Sequence, residues 1–236
     1  MVEQYIYPGD ELALFAKAIN WKRYFSSYIK PYIKKNVLEV GAGIGATTAF
    51  LNDGTVSKWF LLEPDELMAK DLKEKIKRHE FPINCEVIRG TLEQVLHGDK
   101  FDTIIYVDVL EHIEDDANEV KKASGLLNEN GHLIILSPAF PCLFSPLDKA
   151  IGHYRRYTIR NLKKIIPEAL EIVLLKYLDT IGFVASFANR LLMRQSYPTA
   201  KQISVWDKML IPVSKITDKI FLHSFGKTVL AIWKKS

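Results

Sequence analysis

The chain has 236 residues, 48% of them hydrophobic, and 32 Lys and Arg stand against 28 Asp and Glu. That length and apolar content suit one elaborated domain with a sizeable core, and a net charge of +4, from scattered basic residues, gives no argument for nucleic acid. No apolar run approaches the roughly 20 residues that span a bilayer, so the expectation is a soluble protein or one resting on a membrane surface.

In chain order, the N-terminal MVEQYIYPGDE lacks the basic-then-apolar layout of a signal peptide. Residues 10–32 place Leu14, Ala18, Trp21, Phe25 and Ile29 at helical spacing and predict one helix, ended by Pro31 and the Lys34-Lys35-Asn36 turn. NVLEV predicts a buried strand, and a glycine loop then leads into a helix beginning at residues 47–51. KWFLLE is a second strand, followed by a polar helix over 65–78, and CEVIRG is a third. FDTIIYVDV is a fourth, followed by a charged helix over 115–127; residues 128–131 form a turn and HLIILS a fifth strand. Alternating strands and helices imply a doubly wound parallel α/β sheet.

After Ser137 the rhythm changes. Residues 138–158 make a long connection rich in proline and aromatics, the kind that serves as a lid or binding loop. Thr158 predicts the cap of a short helix ending before Pro167, EIVLLKYLD a sixth strand and KTVLAIWKK a terminal seventh. Between those strands, IGFVASFANRLLM and an amphipathic stretch from Trp206 to Phe221, interrupted by Pro212, predict a helical cap over the sheet edge. Its bland reading is burial against the sheet. The sharper one is a greasy acceptor pocket, or a face on a lipid surface with Lys208, Lys215 and Lys219 toward headgroups. Cys85 and Cys142 form neither a metal-ligand spacing nor a disulfide framework, which implies buried thiols in a reducing cytoplasm.

The loop VLEVGAGIGA admits two readings. Gly41-Ala42-Gly43-Ile44-Gly45-Ala46 fits the dinucleotide pattern G-x-G-x-x-G/A, while Gly41-x-Gly43-x-Gly45 suits a nucleoside with a charged amino-acid tail. Glu39, just before the loop, would repel a pyrophosphate and attract an ammonium or sulfonium; alternatively it is an acid satisfied by neighbouring backbone amides. Glu63, 22 residues after Gly41, suits hydrogen bonds to ribose hydroxyls, which either ligand offers. YVDVLEHIEDD puts Asp108 and His112 at the end of the fourth strand, beside the loop, with Glu114 to Asp116 as ordinary acids at a helix start.

VLEVGAGIG, LLEPD, GTLEQ, FDTIIYVDVLEHI and LLNENGHLIILSPA resemble, in order and spacing over residues 35–140, the motifs of class I S-adenosylmethionine-dependent methyltransferases. The resemblance implies a seven-stranded Rossmann-like sheet of order 3-2-1-4-5-7-6 with the last strand antiparallel, covered by an N-terminal helix and the helical cap. It implies that Glu39, Gly41, Ala42, Gly43 and Gly45 hold the methionine portion, that Glu63 and Pro64 take the ribose, that Thr91 and Leu92 flank the adenine, and that Asp108 and Val109 line the sulfonium side. One domain results: residues 1–34 as a helical cover, 35–137 as the cofactor-binding core, 138–168 as an active-site lid and 183–224 as the cap. DVLEH also resembles a stretch of ubiquinone-type O-methyltransferases linked with a divalent cation, at Asp108, Glu111 and His112, but three neighbouring donors on one turn predict no metal site here.

Methyl transfer to a hydroxyl benefits from a general base. His79, His97, His132 and His223 read as surface or packing residues, which leaves His153 on the lid, oriented by Asp148, as the candidate; the bland alternative is that both shape the loop. The D…GHYRRYT segment resembles a bacterial and archaeal branch of the family associated with envelope sugars or glycolipids. Arg155 and Arg156 would clamp an oxyanion or pair with the acidic helix, Tyr154, Tyr157, Phe140 and Phe144 would line an acceptor pocket, and Asn20, Trp21 and Tyr24 belong to the core or close over the cofactor. The expectation is therefore S-adenosylmethionine-dependent O-methylation of a small-molecule acceptor such as a sugar, glycolipid or secondary metabolite, with peripheral membrane or lipid-linked contact. The rivals are N-methylation of an amino sugar, an NAD-linked oxidoreductase and a non-catalytic adenosyl-binding protein.

Overall fold

The computed structural model describes residues 7, 11–95, 99–192 and 198–236. His97, read above as a surface or packing residue, and Met193 of the cap lie outside the described residues, as do most of residues 1–10 of the N-terminal cover. Seven strands form one sheet: β1 (Asn36–Val40), β2 (Lys58–Glu63), β3 (Cys85–Arg89), β4 (Phe101–Val107), β5 (Leu127–Pro138), β6 (Leu170–Leu178) and β7 (Thr228–Lys235). Their order is 3-2-1-4-5-7-6, with β7 antiparallel to both neighbours, as the motif order implied. Both sheet faces are buried. Leu38, Val40, Ile104, Tyr106, Leu133 and Ile135 pack on one side, and Val37, Leu61, Ile105, Ile134 and Leu136 on the other. That double burial is why these strands read as apolar runs.

Two boundaries differ from the sequence reading. The first helix is two, α1 (Glu11–Phe15) and α2 (Ile19–Ile29). Ala18 takes a non-helical conformation between them, and the Asp207 carboxylate accepts the backbone N–H groups of Asn20 (3.2 Å) and Trp21 (2.8 Å) at the start of α2. A side chain 186 positions away thus caps a helix that local spacing would have run straight through. The strand expected to begin at His132 begins at Leu127, because Phe101 pairs with Leu127 and Thr103 with His132, so the predicted 128–131 turn is looped out within β5. Cys85 is buried but Cys142 is exposed, a correction: it falls on a one-turn 3₁₀ helix of the lid (Pro141–Leu143) whose apolar anchor is Leu143.

Between the strands run α3 (Thr48–Leu51), α4 (Glu66–Lys77), α5 (Asp116–Leu126), the short lid helices α6 (Pro146–Ala150) and α7 (Ile159–Ile165), and α8 (Thr180–Leu192). Thr158 caps α7, its hydroxyl accepting the Asn161 amide. The cap continues as α9 (Ala200–Val205), a π-helical turn (Trp206–Leu210) and α10 (Ile211–Ile220). Pro212, which lacks an N–H, sits in the first turn of α10 immediately after the π turn. Buried aspartates fasten this cap. Asp218 accepts from Tyr24 Oη, the Asp179 and Thr180 amides and Thr180 Oγ1, while Asp179 accepts from Trp206 Nε1, Ser214 Oγ and the Gly182 amide. With this network and the Asp207 cap, Trp21 and Tyr24 are core residues and Asn20 is bound to Asp207. No helix among the described residues is long and apolar enough to cross a membrane.

Candidate functional site

A groove of about 160 Å³ opens at the carboxyl ends of β1, β2 and β4, where the winding of an open α/β sheet reverses. The glycine loop forms its floor. Gly41 has φ +67°, and a Cβ there would stand 2.6 Å from Val109, so only glycine lets β1 turn so close to the end of β4. The Gly43 amide donates to Glu63 Oε2 at 2.7 Å and the Asp65 amide to Oε1 at 2.8 Å, so one carboxylate at the end of β2 braces the loop and the start of α4 together. Pro64, Val109 and Asp108 complete the walls, and Tyr7, Leu12, Phe15 and Ala16 cover the opening.

The chemistry of this lining decides the ligand class. Two carboxylates face the groove: Glu63, raised above its usual range by burial, and Asp108, solvent-accessible at the wall, whose carboxyl partial desolvation there pushes up to about 6. Asp108 takes a left-handed φ of +54°, which turns its side chain off the end of β4. Lys22, buried on α2, bonds the Phe15 carbonyl at 2.6 Å and lines the same groove. A ligand with a ribose diol and a cationic amino-acid tail fits two such carboxylates; a pyrophosphate would be repelled by them.

Several expected site residues lie elsewhere. Glu39 is off the groove: its Oε2 accepts Thr48 Oγ1 (2.8 Å) and Trp59 Nε1 (2.7 Å) in the core, and burial pushes its carboxyl up to about 7. The alternation of β1 aims it at the α3 side, where side chains rather than backbone amides satisfy it. Gly45 meets Phe81 and Leu72 behind the loop, so its role is close packing. Thr91 caps a 3₁₀ turn (Leu92–Gln94) and is exposed, and Leu92 is buried in the core; neither lines the groove.

The lid gathers the remaining candidates into a charged cluster. Asp148, buried in α6, accepts His153 Nδ1 at 2.9 Å and a two-pronged contact from Arg156, Nε and Nη2 both at 2.9 Å. Ser145 adds a third partner, and together these cations and donors hold the Asp148 carboxyl well below its ordinary range. His153 is raised from its usual value, because Asp148 and Glu111 outweigh burial. Its Nε2 lies 3.9 Å from Oε1 of Glu111, a fully buried carboxyl whose other oxygen accepts Ser137 Oγ at 2.9 Å. Oε1 has no hydrogen-bond partner, and burial pushes Glu111 up to about 8. The His112 ring stands edge-on to His153, with centroids 4.5 Å apart, and burial lowers it to about 4, so it is neutral.

Of the two histidines, His112 lines the groove and His153 stands behind it. The expected acceptor contacts are also displaced. Arg156 is spent on Asp148, and Tyr157 is a buried core residue whose hydroxyl donates to Asp116 at 2.7 Å. Tyr154 is exposed beneath the Arg155 guanidinium, which pairs with Asp116 at 2.6 Å, the acidic-helix alternative. These residues rim a different hollow of about 410 Å³ on the outer side of the lid. Sequence reasoning missed Lys22, Phe15 and the buried role of Glu111. Nothing in their spacing marks them, since a bent N-terminal helix pair and the returning lid bring them in.

The methyltransferase-domain family model matches residues 38–135. No curated protein sequence matches the chain. Among solved structures, the N-methyltransferase NodS from Bradyrhizobium japonicum, in complex with S-adenosyl-L-homocysteine, is similar at TM-score 0.61 and 14% identity, over 96% of this chain and 93% of that one. Magnesium protoporphyrin IX methyltransferase from Synechocystis PCC 6803, with bound S-adenosylmethionine, follows at 0.55 and 14%, over 95% and 81%. The mitomycin 7-O-methyltransferase MmcR gives 0.57 and 10%, over 93% and 54%. At such identities the likeness is one of fold. The domain match is independent of it and spans the stretch that carries the glycine loop, Glu63 and Asp108, whose groove chemistry already selected an adenosyl amino acid. Residues 38–135 thus match the methyltransferase-domain family, and the chain as a whole has the Rossmann-like fold of S-adenosylmethionine-dependent methyltransferases.

Proposed function

We propose that the chain methylates a hydroxyl of a small-molecule acceptor, with a sugar, glycolipid or secondary metabolite as the acceptor class. The observation that carries the reading is the Asp148–His153 pair, 2.9 Å apart, set one residue behind the groove where the methyl group must be presented. S-adenosylmethionine supplies a methyl carbon already activated for displacement, so the protein's task is alignment and removal of one proton. Glu63 and Pro64 would hold the ribose, and the loop amides of residues 41–43 with Asp108 and Val109 the amino-acid end. An acceptor hydroxyl that enters beside Asp108 and reaches past His112 to Nε2 of His153 would lose its proton there, because Nδ1 is committed to Asp148. Residues 138–168 act as the lid over this step and 183–224 as the cap beside it.

Product identification after transfer of an isotope-labelled methyl group to panels of hydroxyl and amine acceptors tests the atom; labelled amine alone would turn the reading to N-methylation. The base is tested by kinetics. His153→Asn should lower kcat on the order of 100-fold and abolish the acidic limb of the pH profile, whereas His112→Asn should act chiefly on KM. An unchanged limb in His153→Asn would remove His153 from the reaction.

One observation favours a second reading of the same cluster. Glu111, His112 and His153 each offer a donor atom, all within 4.8 Å of one another, and Oε1 of Glu111 is buried without a partner. The expectation of no metal rested on donors from one turn, and the lid adds a third from 41 positions away, with Asp148 fixing its ring as a carboxylate commonly does for a ligating histidine. A divalent cation there would acidify the acceptor hydroxyl instead. Turnover lost to a chelator and restored by zinc or manganese selects this reading; chelator-insensitive turnover selects the base.

A further inference from the structure

The segment from residue 200 to 220 is one continuous helical run, and its outer face is apolar although nothing among the described residues covers it. Met209 (64% exposed), Val213 (46%), Ile216 (62%) and Ile220 (67%) recur at spacings of four, three and four, which align them on one stripe, and Leu222 (85%) continues it past the helix end. Val184 and Phe187 on α8 are exposed as well. A monomer surface seldom keeps so many large apolar side chains together without a use for them.

Charge indicates what covers the stripe. From residue 180 to 236 the sequence has nine Lys and Arg and two acids, while the whole chain is only +4. Both acids, Asp207 and Asp218, are buried and turned inward onto α2 and β6. The described residues of this segment therefore present no side-chain carboxylate on the outer face, and exposed Lys201, Lys208 and Lys219 accompany the stripe. Two copies meeting through it about a twofold axis would oppose their own lysine rows, which disfavours self-association. An anionic bilayer surface satisfies both features, taking the apolar stripe into the acyl boundary and the lysines at the headgroups.

We infer that the outer face of the 200–222 segment docks this protein on an anionic lipid surface. Its inner face is continuous with the groove cover: Trp206 stands edge-on to Phe15, centroids 6.1 Å apart, and Phe15 lines the groove. Docking would place on the bilayer the helical segment that packs against this cover. The inference does not depend on which acceptor atom is methylated.

Co-sedimentation with vesicles of phosphatidylcholine alone, and of phosphatidylcholine with phosphatidylglycerol, tests it. The protein should bind the anionic vesicles at least about tenfold more tightly, and each of Lys208→Gln and Lys219→Gln should weaken binding about fivefold at low salt. Ile216→Glu with Ile220→Glu should abolish binding, while Ile83→Glu, on an isoleucine 91% exposed elsewhere, should not. Unchanged S-adenosylhomocysteine affinity in every variant, by calorimetry, would show that the groove and the fold are intact. Absence of binding to both vesicle types would overturn the inference, as would retained binding in the double variant or a dimer that the double variant splits.

Discussion

Asp148 shows how one residue joins stability to chemistry. It is 2% exposed and compensates Arg156, itself nearly buried, while aiming His153. Asp148→Ala would strand a buried guanidinium and should cost about 3–5 kcal/mol, read by urea unfolding at pH 7. Because the folded carboxyl is held below its ordinary range, this contribution is complete above about pH 4 and disappears as pH falls further. Glu111 has the opposite sign. Its folded pKa is raised to about 8, so stability is fully present below the ordinary carboxyl range near 4.5 and declines as pH rises toward 8. Glu111→Gln keeps an acceptor for Ser137 and removes that decline. It should unfold at a higher temperature than wild type at pH 8 and at nearly the same temperature at pH 4.5, by calorimetry at both pH values.

At the scale of elements, α2 and the cap hold each other. Neither the 11 residues of α2 nor the short helices of the cap would be stable alone in water. The aspartates at 179, 207 and 218 convert that weakness into a joint, each accepting the amides or hydroxyls of an element distant in sequence. Asp207→Ala removes the cap of α2 and leaves its first amides unpaired, which should cost about 1–2 kcal/mol. Hydrogen exchange should quicken at Asn20 and Trp21 before it quickens in the sheet. Equal protection of those amides in the variant would show that α2 is capped by water as well as by Asp207. The same joint positions Phe15 and Lys22 over the groove, so the helix break that local spacing did not predict is what brings the cover down onto the site.

The whole molecule is a doubly wound sheet with both faces filled and the groove at the carboxyl ends of its central strands. Ligand binding at that end should stabilise the entire domain. S-adenosylhomocysteine at about 100 times its Kd adds roughly 2.7 kcal/mol, which for a domain of this size raises Tm by about 5–10 °C. Glu63→Gln should weaken the nucleoside by about 10-fold or more, since a hydrogen bond to a charged group is worth about 1.5–3 kcal/mol, and should shrink that rise accordingly. A thermal shift indifferent to Glu63 would place the ribose elsewhere.

The sequence alone determined the sheet and the glycine loop. Apolar runs of strand length alternating with helical spacing, and glycines where the backbone must turn left-handed, are local signals that survive without a partner. It also pointed to Glu63 and Asp108, which line the groove, because one ends β2 and the other follows β4, and the positions of both strands in the sheet are set by that same alternation. Only the tertiary structure decided which way the other candidates face. Glu39 turned into the core, Tyr157 and Arg156 went to structural partners, and His112 came forward of His153, because orientation depends on contacts with elements dozens of residues away. The cap's two faces were separated in the same manner: its buried aspartates and exposed isoleucines lie side by side in sequence, and only packing against α2 tells them apart.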